Sequence, residues 1–516
     1  MGGAAEVLSN DVEELRRTVV SLQKNITILE EEIRFLKDRL FGSKADRWSA
    51  EDVRQGRLFN EAEAGAEQSQ EAEKQPPSIP VAAHARRPRG RRPLPDNLPR
   101  EEVVHDIPED QKVCSCGAPL SRIGEETSQK LKVIPPKLIV VRHIRPKYAC
   151  RSCQGVETEN GAVKIAPPPV ELIPKSIATP ELLAYLLTSK FVDALPFYRQ
   201  ERILARIGVD LSRATMCHWT IQVAQRLEPL LELLRENIRA GPYVQIDETT
   251  LQVLKEPGRE PESKSYMWVY RGGEPGKPSL IYQYFPSRSG DVPFEFLDTY
   301  EGYVQTDGYK GYDKLGRKPG IRMLGCWAHT RRKFVDVTKV SSNGRSAHEM
   351  LELVRRLYEV EHIAEQDKLA PPQIAELRQQ KAQPILTKIK EKLDSLNDQT
   401  PPQGLLGKAV GYALGQWDRL TRYLENGMLR PDNNLAENAI RPFVVGRKNF
   451  LFADTPAGAY ASAAIYSVVE TAKANGHEPY WYLRFLLAKL VNANTIEDYQ
   501  NLLPQNLRPD ELIRGV

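Results

Sequence analysis

Two carboxylates interrupt the apolar stretch "YVQIDETTLQVL" at residues 243–254. Val244, Ile246, Leu251 and Val253 supply the side chains of a buried strand, and Asp247 and Glu248 stand where that strand should stay dry. Burying an unpaired carboxylate is costly, so the acids call for a cation. The pattern returns in "EGYVQTDGYKGYDKL", where Val304 leads to Asp307 at the end of a second strand-like run. One Asp at a strand end is ordinarily a turn or cap residue. Two in this order are harder to dismiss. A third acid comes from the helical stretch "NNLAENAIRPFVVGRKNFLF", 433–452. There Glu437 and Arg441 lie four apart on one helix face, and Arg447, Lys448 and Asn449 form a basic cluster. Acids that bind metal, beside cations that hold phosphate, suit phosphoryl transfer on DNA. Neighbours on a strand point to opposite faces, which leaves Glu248 outside the set.

A second group of metal-ligating residues is Cys114, Cys116, Cys150 and Cys153. Two close pairs around a hairpin-sized stretch suggest a zinc ribbon, in which four thiolates enclose one structural Zn²⁺ per chain. The second pair has C-x-x-C spacing, while the first is C-x-C, one residue shorter; His105 or His143 could replace a thiolate. Reduced, unliganded thiols are the alternative. In "GCWAHTRRKF", Cys326 reads as a core residue, and His329, Arg331 and Arg332 as groups that approach DNA phosphate.

The elements that must position the acids follow in a definite order. "YVQIDETTLQVL", "SYMWVYRG" and "PSLIYQYFP" read as strands, "DVPFEFLDTY" as a helix, and a fourth strand then carries Asp307. One Asp on the first strand and another on the fourth match the order of an RNase H-like α/β core. Residues 341–430 are charged and helical and interrupt that core before Glu437. The expected catalytic segments are therefore 236–340, an insertion at 341–430, a core helix region at 431–475 and a helical tail at 476–516.

Upstream, region 171–235 is helical. In "LPFYRQERILARIGVDLSRATMCHWTIQVAQRL" a helix, a turn at Gly208 and a second helix capped by Ser212 make a helix-turn-helix candidate. Arg213, Thr215 and His218 would face a major groove from the second helix. An ordinary αα-hairpin is the alternative. Region 101–170 holds the cysteines. Region 46–100 is a Glu-, Ala-, Gln- and Pro-rich linker ending in "ARRPRGRRPLP", whose Arg89, Arg91 and Arg92 suit an A·T-rich minor groove or non-specific phosphate contact. A solvated linker with incidental arginines is the alternative.

Residues 1–45 carry a heptad seam. Val12, Val19, Ile26, Ile33 and Leu40 alternate with Leu8, Leu15, Leu22, Leu29 and Leu36, a pattern that favours a parallel two-stranded coiled coil. Glu32 and Lys37 could pair across it. The 516-residue chain sets 72 Lys+Arg against 68 Asp+Glu, and a net charge of +4 names no partner. With no apolar run of about 18 residues and no basic-then-apolar start, a membrane role is not expected. Six cysteines suit a reducing cytoplasm.

The blocks "QIDET", "QTDGYKGY", "CWAHTRRKF" and "NNLAENAIRPFVVGRKNFLF" together resemble the DDE transposases of the insertion-sequence-66 type. The resemblance runs from the zipper nearly to the C-terminus. It implies that Asp247, Asp307 and Glu437 are a catalytic triad holding two Mg²⁺ or Mn²⁺ ions about 4 Å apart. It also implies cleavage at the element's ends in double-stranded DNA, strand transfer to a target, and assistance from small accessory proteins of the same element. The C-x-C pair departs from the expected C-x-x-C. A non-catalytic DNA-binding regulator, or a nuclease without strand transfer, would share several of these features; the first leaves the three acids without a role.

Overall fold

A computed structural model of the chain describes residues 12–41, 137–149, 163–340 and 344–514. They belong to two compact units, Ala45–Pro168 and Met1–Lys44 with Pro169–Val516. In the first, strands β1 (Lys147–Ala149) and β2 (Val163–Ile165) pair antiparallel, with Lys147 opposite Ile165. The four cysteines of the expected zinc site and Arg89, Arg91 and Arg92 lie outside the described residues.

The second unit opens with helix α1 (Val12–Phe41). Its seam residues Leu22, Ile26, Leu29, Ile33 and Leu36 each stay more than half exposed, so the described residues leave much of their apolar surface uncovered. Glu32 accepts from Lys408 Nζ at 2.8 Å. Helices α2 (Pro180–Phe191), α3 (Phe197–Arg206), α4 (Arg213–Arg226) and α5 (Glu228–Ala240) follow. Gly208 turns the chain between α3 and α4 at φ +84°, and Ser212 Oγ caps α4 by accepting from Thr215 N at 3.2 Å.

The sheet comes next: β3 (Tyr243–Gln252), β4 (Lys264–Glu274), β5 (Lys277–Phe285), β6 (Gly302–Gln305) and β7 (Ile321–Leu324), in spatial order β5-β4-β3-β6-β7. β3 and β5 run antiparallel to β4, whereas β3, β6 and β7 are mutually parallel. Met267, Trp268, Val269 and Tyr270 are all fully buried, so both faces of the sheet centre are covered. β7 is a fifth strand the sequence did not announce, because "IRML" is too short for alternation to register.

Helices α6 (Trp327–Val340), α7 (Arg345–Gln366), α8 (Gln383–Gln399) and α9 (Leu405–Gly415) build a second hydrophobic cluster around Phe334, Met350, Leu357, Ile389 and Val410. That cluster begins at Leu324 of β7, and α6 packs in it beside the helices of the insertion. The chain then returns through α10 (Asn434–Phe450), α11 (Pro456–Ala474) and α12 (Pro479–Leu490). α11 covers the open edge of β5. Ser467 Oγ accepts from Tyr282 N at 2.8 Å, and Thr471 Oγ1 accepts from Leu280 N at 3.0 Å, satisfying groups an edge strand leaves unpaired. The mostly helical chain with one mixed sheet is α/β. Among the described residues no helix is long and apolar enough to cross a membrane.

Candidate active site

Parallel pairing of β3 with β6 sets Gln245 beside Gln305, and both side chains are fully buried. Asp247 and Asp307 each lie two residues further on, Asp247 within β3 and Asp307 just past the end of β6. The glutamines also fix the segment that leads to the third acid. Gln305 Nε2 donates to Gly325 O and Arg430 O, both at 2.9 Å, and Gln245 Nε2 donates to Asp432 O at 3.2 Å. Asn433 Nδ2 donates to Ile246 O at 2.8 Å, next to Asp247. Asn433 is also the N-terminal flank of α10, which places Glu437 in that helix's first turn. From the other side, Trp327 N donates to Pro431 O at 3.0 Å and Asn433 N donates to Cys326 Sγ at 3.2 Å.

The three acids converge electrostatically. Burial pushes the carboxyl of Asp247 well above the usual range, and the charges of Glu248, Glu437 and Asp307 push it further. Asp307 Oδ1 accepts from Tyr309 N at 2.8 Å, and its carbonyl accepts from Tyr412 Oη at 2.7 Å. The next residue must be small and left-handed: Gly308 has φ +82°, and a Cβ there would meet Tyr412 Oη at 2.8 Å. Glu437 Oε1 lies 3.5 Å from His329 Nδ1, and Oε2 lies 3.7 Å from Arg332 Nη2. Neither His329 Nδ1 nor Glu437 Oε1 has a hydrogen-bond partner, although both are buried. Burial lowers the His329 pKa, with Glu437 opposing, which favours a neutral ring. Cys326, expected in the core, is buried, and burial raises its thiol pKa. Its Sγ, a His329 nitrogen and a Glu437 oxygen lie within 4.8 Å of one another.

Glu248 behaves differently from its neighbour. Arg288 donates to its Oε1 through Nε at 2.7 Å, and Tyr312 Oη donates to Oε2. Asp247 is thus the acid left facing other acids, and Glu248 the one with a cation. No local pattern marks Arg288 in the sequence; it lies in an irregular connection and is defined only by what folds around it.

The basic candidates divide. Arg447 donates to Thr249 Oγ1 at 3.1 Å and Thr250 Oγ1 at 3.0 Å, so it braces β3, and burial lowers its pKa. Arg441 Nε is buried without a hydrogen-bond partner, while Lys448 is exposed. Arg331 is half-buried and Arg332 exposed, one helix turn from His329 at most. On α4, Arg213 and His218 are exposed. Thr215 is half-buried, and its hydroxyl meets Ser212 Oγ at 2.9 Å, so it serves the cap rather than facing outward.

Arranged this way, three acids can bind a divalent cation: their mutual repulsion is relieved only by protonation or by a bound positive charge. Comparison with known proteins bears on the family. The model of the transposase IS66 family matches residues 175–461, and that of the zinc-finger binding domain of transposase IS66 matches 111–154. A third, described as transposase C of IS166 homeodomain, matches 28–103, and the IS66 C-terminal element matches 467–505. Two curated proteins of Sinorhizobium fredii (strain NBRC 101917 / NGR234) are similar over nearly their whole length. The uncharacterized protein y4jD is 32% identical, covering 98% of this chain and 98% of its own. The uncharacterized protein y4qI is 31% identical, covering 97% and 93%.

Proposed function

The chain belongs to the IS66 transposase family, and on that premise we propose that it cleaves the ends of an insertion sequence and joins them to target DNA. The observation that carries the reading is the convergence of Asp247, Asp307 and Glu437, with the Asp247 carboxyl held high by burial and by the other acids. The strand order, with β4 alone antiparallel, supports an RNase H-like core. Asp247, Asp307 and Glu437 would hold Mg²⁺ or Mn²⁺, and the site suits them because the buried Asp247 carboxyl faces the other acids and Glu437 Oε1 is buried without a hydrogen-bond partner. A divalent cation bound there supplies charge neutralisation for the attacking and leaving oxygens.

The residues of the chain define what happens around it. Buried Gln245 and Gln305 link β3, which carries Asp247, to β6, which leads to Asp307, and the fixed segment 430–433 delivers Glu437 to them. His329 and Arg332 stand beside Glu437, where they limit its freedom and offer positive or donor character to a phosphate. In the first displacement water forms a P–O bond as the P–O3′ bond breaks, leaving a 3′-hydroxyl on the element. In the second that hydroxyl forms a P–O bond to target DNA as a target 3′-oxygen leaves.

The four cysteines fall within the zinc-finger match at 111–154, which supports one structural Zn²⁺. The exposed seam of α1 supports a homodimer or higher oligomer, and α3–α4 with the arginine segment supports DNA contact. The test incubates purified protein with labelled DNA carrying the sequences that flank its gene, a target plasmid, and Mg²⁺ or none. End cleavage followed by joining, only with metal, is the expected result. Cleavage without joining would reduce the protein to a nuclease, and binding alone to a regulator.

A further inference from the structure

Glu248 is the acid that the proposed reaction does not use, and its surroundings are built for something. Its side chain is 2% exposed, yet it spends Oε1 on Arg288, with Nε at 2.7 Å and Nη2 at 2.6 Å, and Oε2 on the Tyr312 hydroxyl. A carboxylate buried so fully, with both oxygens engaged, fixes the guanidinium it holds. Arg288 sits in the connection 286–290 after β5. Its guanidinium carbon lies 3.8 Å from the centroid of the Tyr309 ring, and the Tyr309 N–H donates to Asp307. The arginine is therefore held by the residue after Asp247 and by the residue two after Asp307.

The pair is lopsided in a way a structural ion pair need not be. Glu248 is enclosed, while 40% of the Arg288 side chain remains exposed. With Nε and Nη2 turned to Glu248, Nη1 has no hydrogen-bond partner among the described residues. A guanidinium carries five N–H donors in one plane, so an edge remains for a second oxyanion, and the ring beneath holds that plane still. Three clustered acids repel a DNA backbone, and a fixed cation at their margin offsets that repulsion for one phosphate.

We propose that Arg288 grips the phosphodiester acted on at the carboxylate site, with Glu248 and Tyr309 as the positioning residues that aim it. The inference rests on the proposed strand-cleavage reading. Its test uses the full chain as Arg288→Ala, Arg288→Lys, Glu248→Gln and, for reference, Asp247→Asn. Mn²⁺ binding to the protein alone is measured by calorimetry, and cleavage of labelled duplex carrying the flanking ends is measured in Mg²⁺.

Arg288→Ala should slow cleavage about 10²–10³-fold, the usual loss for one preorganised charge-stabilising donor, with Mn²⁺ affinity unchanged. Arg288→Lys should recover only part of this, since a point charge replaces a planar fork. Glu248→Gln should cost about tenfold by loosening the arginine. Should Arg288→Ala fail to fold, Arg288→Lys decides, because it keeps the charge opposite Glu248. Wild-type cleavage by that variant, or by Arg288→Ala, overturns the proposal while an inactive Asp247→Asn leaves the wider reading standing. Loss of Mn²⁺ binding in Arg288→Ala would assign the arginine to support of the acids and also overturn the phosphate role. Wild-type cleavage by Asp247→Asn would instead remove the reading on which the inference rests.

Discussion

Gln245 and Gln305 meet across the parallel central strands, the Nε2 of the first donating to the Oε1 of the second at 2.9 Å. Two amides buried at the centre of a sheet are tolerated because Gln245 Nε2 and both polar atoms of Gln305 are hydrogen-bonded, while Gln245 Oε1 is buried without a partner. Their remaining donors hold backbone carbonyls of Gly325, Arg430 and Asp432. A single pair thereby ties together β3, which carries Asp247, β6, which leads to Asp307, and the segment that leads to Glu437.

That tie gives the first expectation. Gln305→Leu would bury carbonyls and an amide without partners, costing about 1–3 kcal/mol for each group left unsatisfied. Urea unfolding of the variant should show the loss, and Mn²⁺ affinity should fall with it. Unchanged stability and metal binding would mean the glutamines do not register the site.

Asp247 supplies the second. Its carboxyl is raised by burial first and then by neighbouring acids, so the metal-free native state binds a proton more tightly than the unfolded chain. Stability is then lost as pH rises, from the unfolded carboxylate value near ~3.9 up to the raised native value, and the cost is complete above it. Asp247→Asn removes that cost. In chelator at neutral pH the variant should melt a few degrees higher than wild type, with the gap closing in acid. Cleavage and joining in Mg²⁺ should drop by about 10³-fold or more, as they should for Asp307→Asn and Glu437→Gln. Full strand joining by Asp247→Asn would refute the triad.

The heptad seam of α1 leads to the third. Replacing Leu22 and Leu29 with Lys puts charge into a dimer interface and should yield a monomer, or a smaller assembly, in sedimentation. An unchanged sedimentation coefficient would assign self-association to another surface.

Zinc is the subject of the fourth. Freshly purified protein should contain close to one Zn²⁺ per chain, and Cys150→Ser/Cys153→Ser should lose it, because thiolate ligation couples metal binding to local folding. Metal analysis that finds no zinc in the wild-type protein would rule the ribbon out.

DNA binding separates by its salt dependence, the fifth expectation. Arg89→Ala/Arg91→Ala should weaken binding to all duplexes and flatten the salt slope by about one to two counterions. Arg213→Ala, at the exposed start of α4, should reduce discrimination between end and unrelated DNA. Equal weakening on every sequence would withdraw the groove-reading role from α4.

By itself the sequence determined which acids stand out, because a carboxylate inside an apolar strand run has a local signature. It also determined the α3–α4 turn, where Gly208 and Ser212 act on their own neighbours. What depends on contacts between distant residues was not legible. β7 is four residues long and exists only because β6 lies beside it. α6 joins the insertion's hydrophobic cluster because Phe334 packs there, which spacing along one helix does not reveal. Thr215 and Arg447 looked free to meet DNA, yet the fold turns one into a cap and the other into a brace for β3. Glu248 is the clearest case. Its neighbour Asp247 and it are equally acidic in the sequence, and alternation alone separates them. Only the folded chain brings Arg288, 40 residues away, to one of them, and Asp307 and Glu437 to the other. Which acid finds a cation within the protein, and which is left facing other acids, is decided by long-range packing.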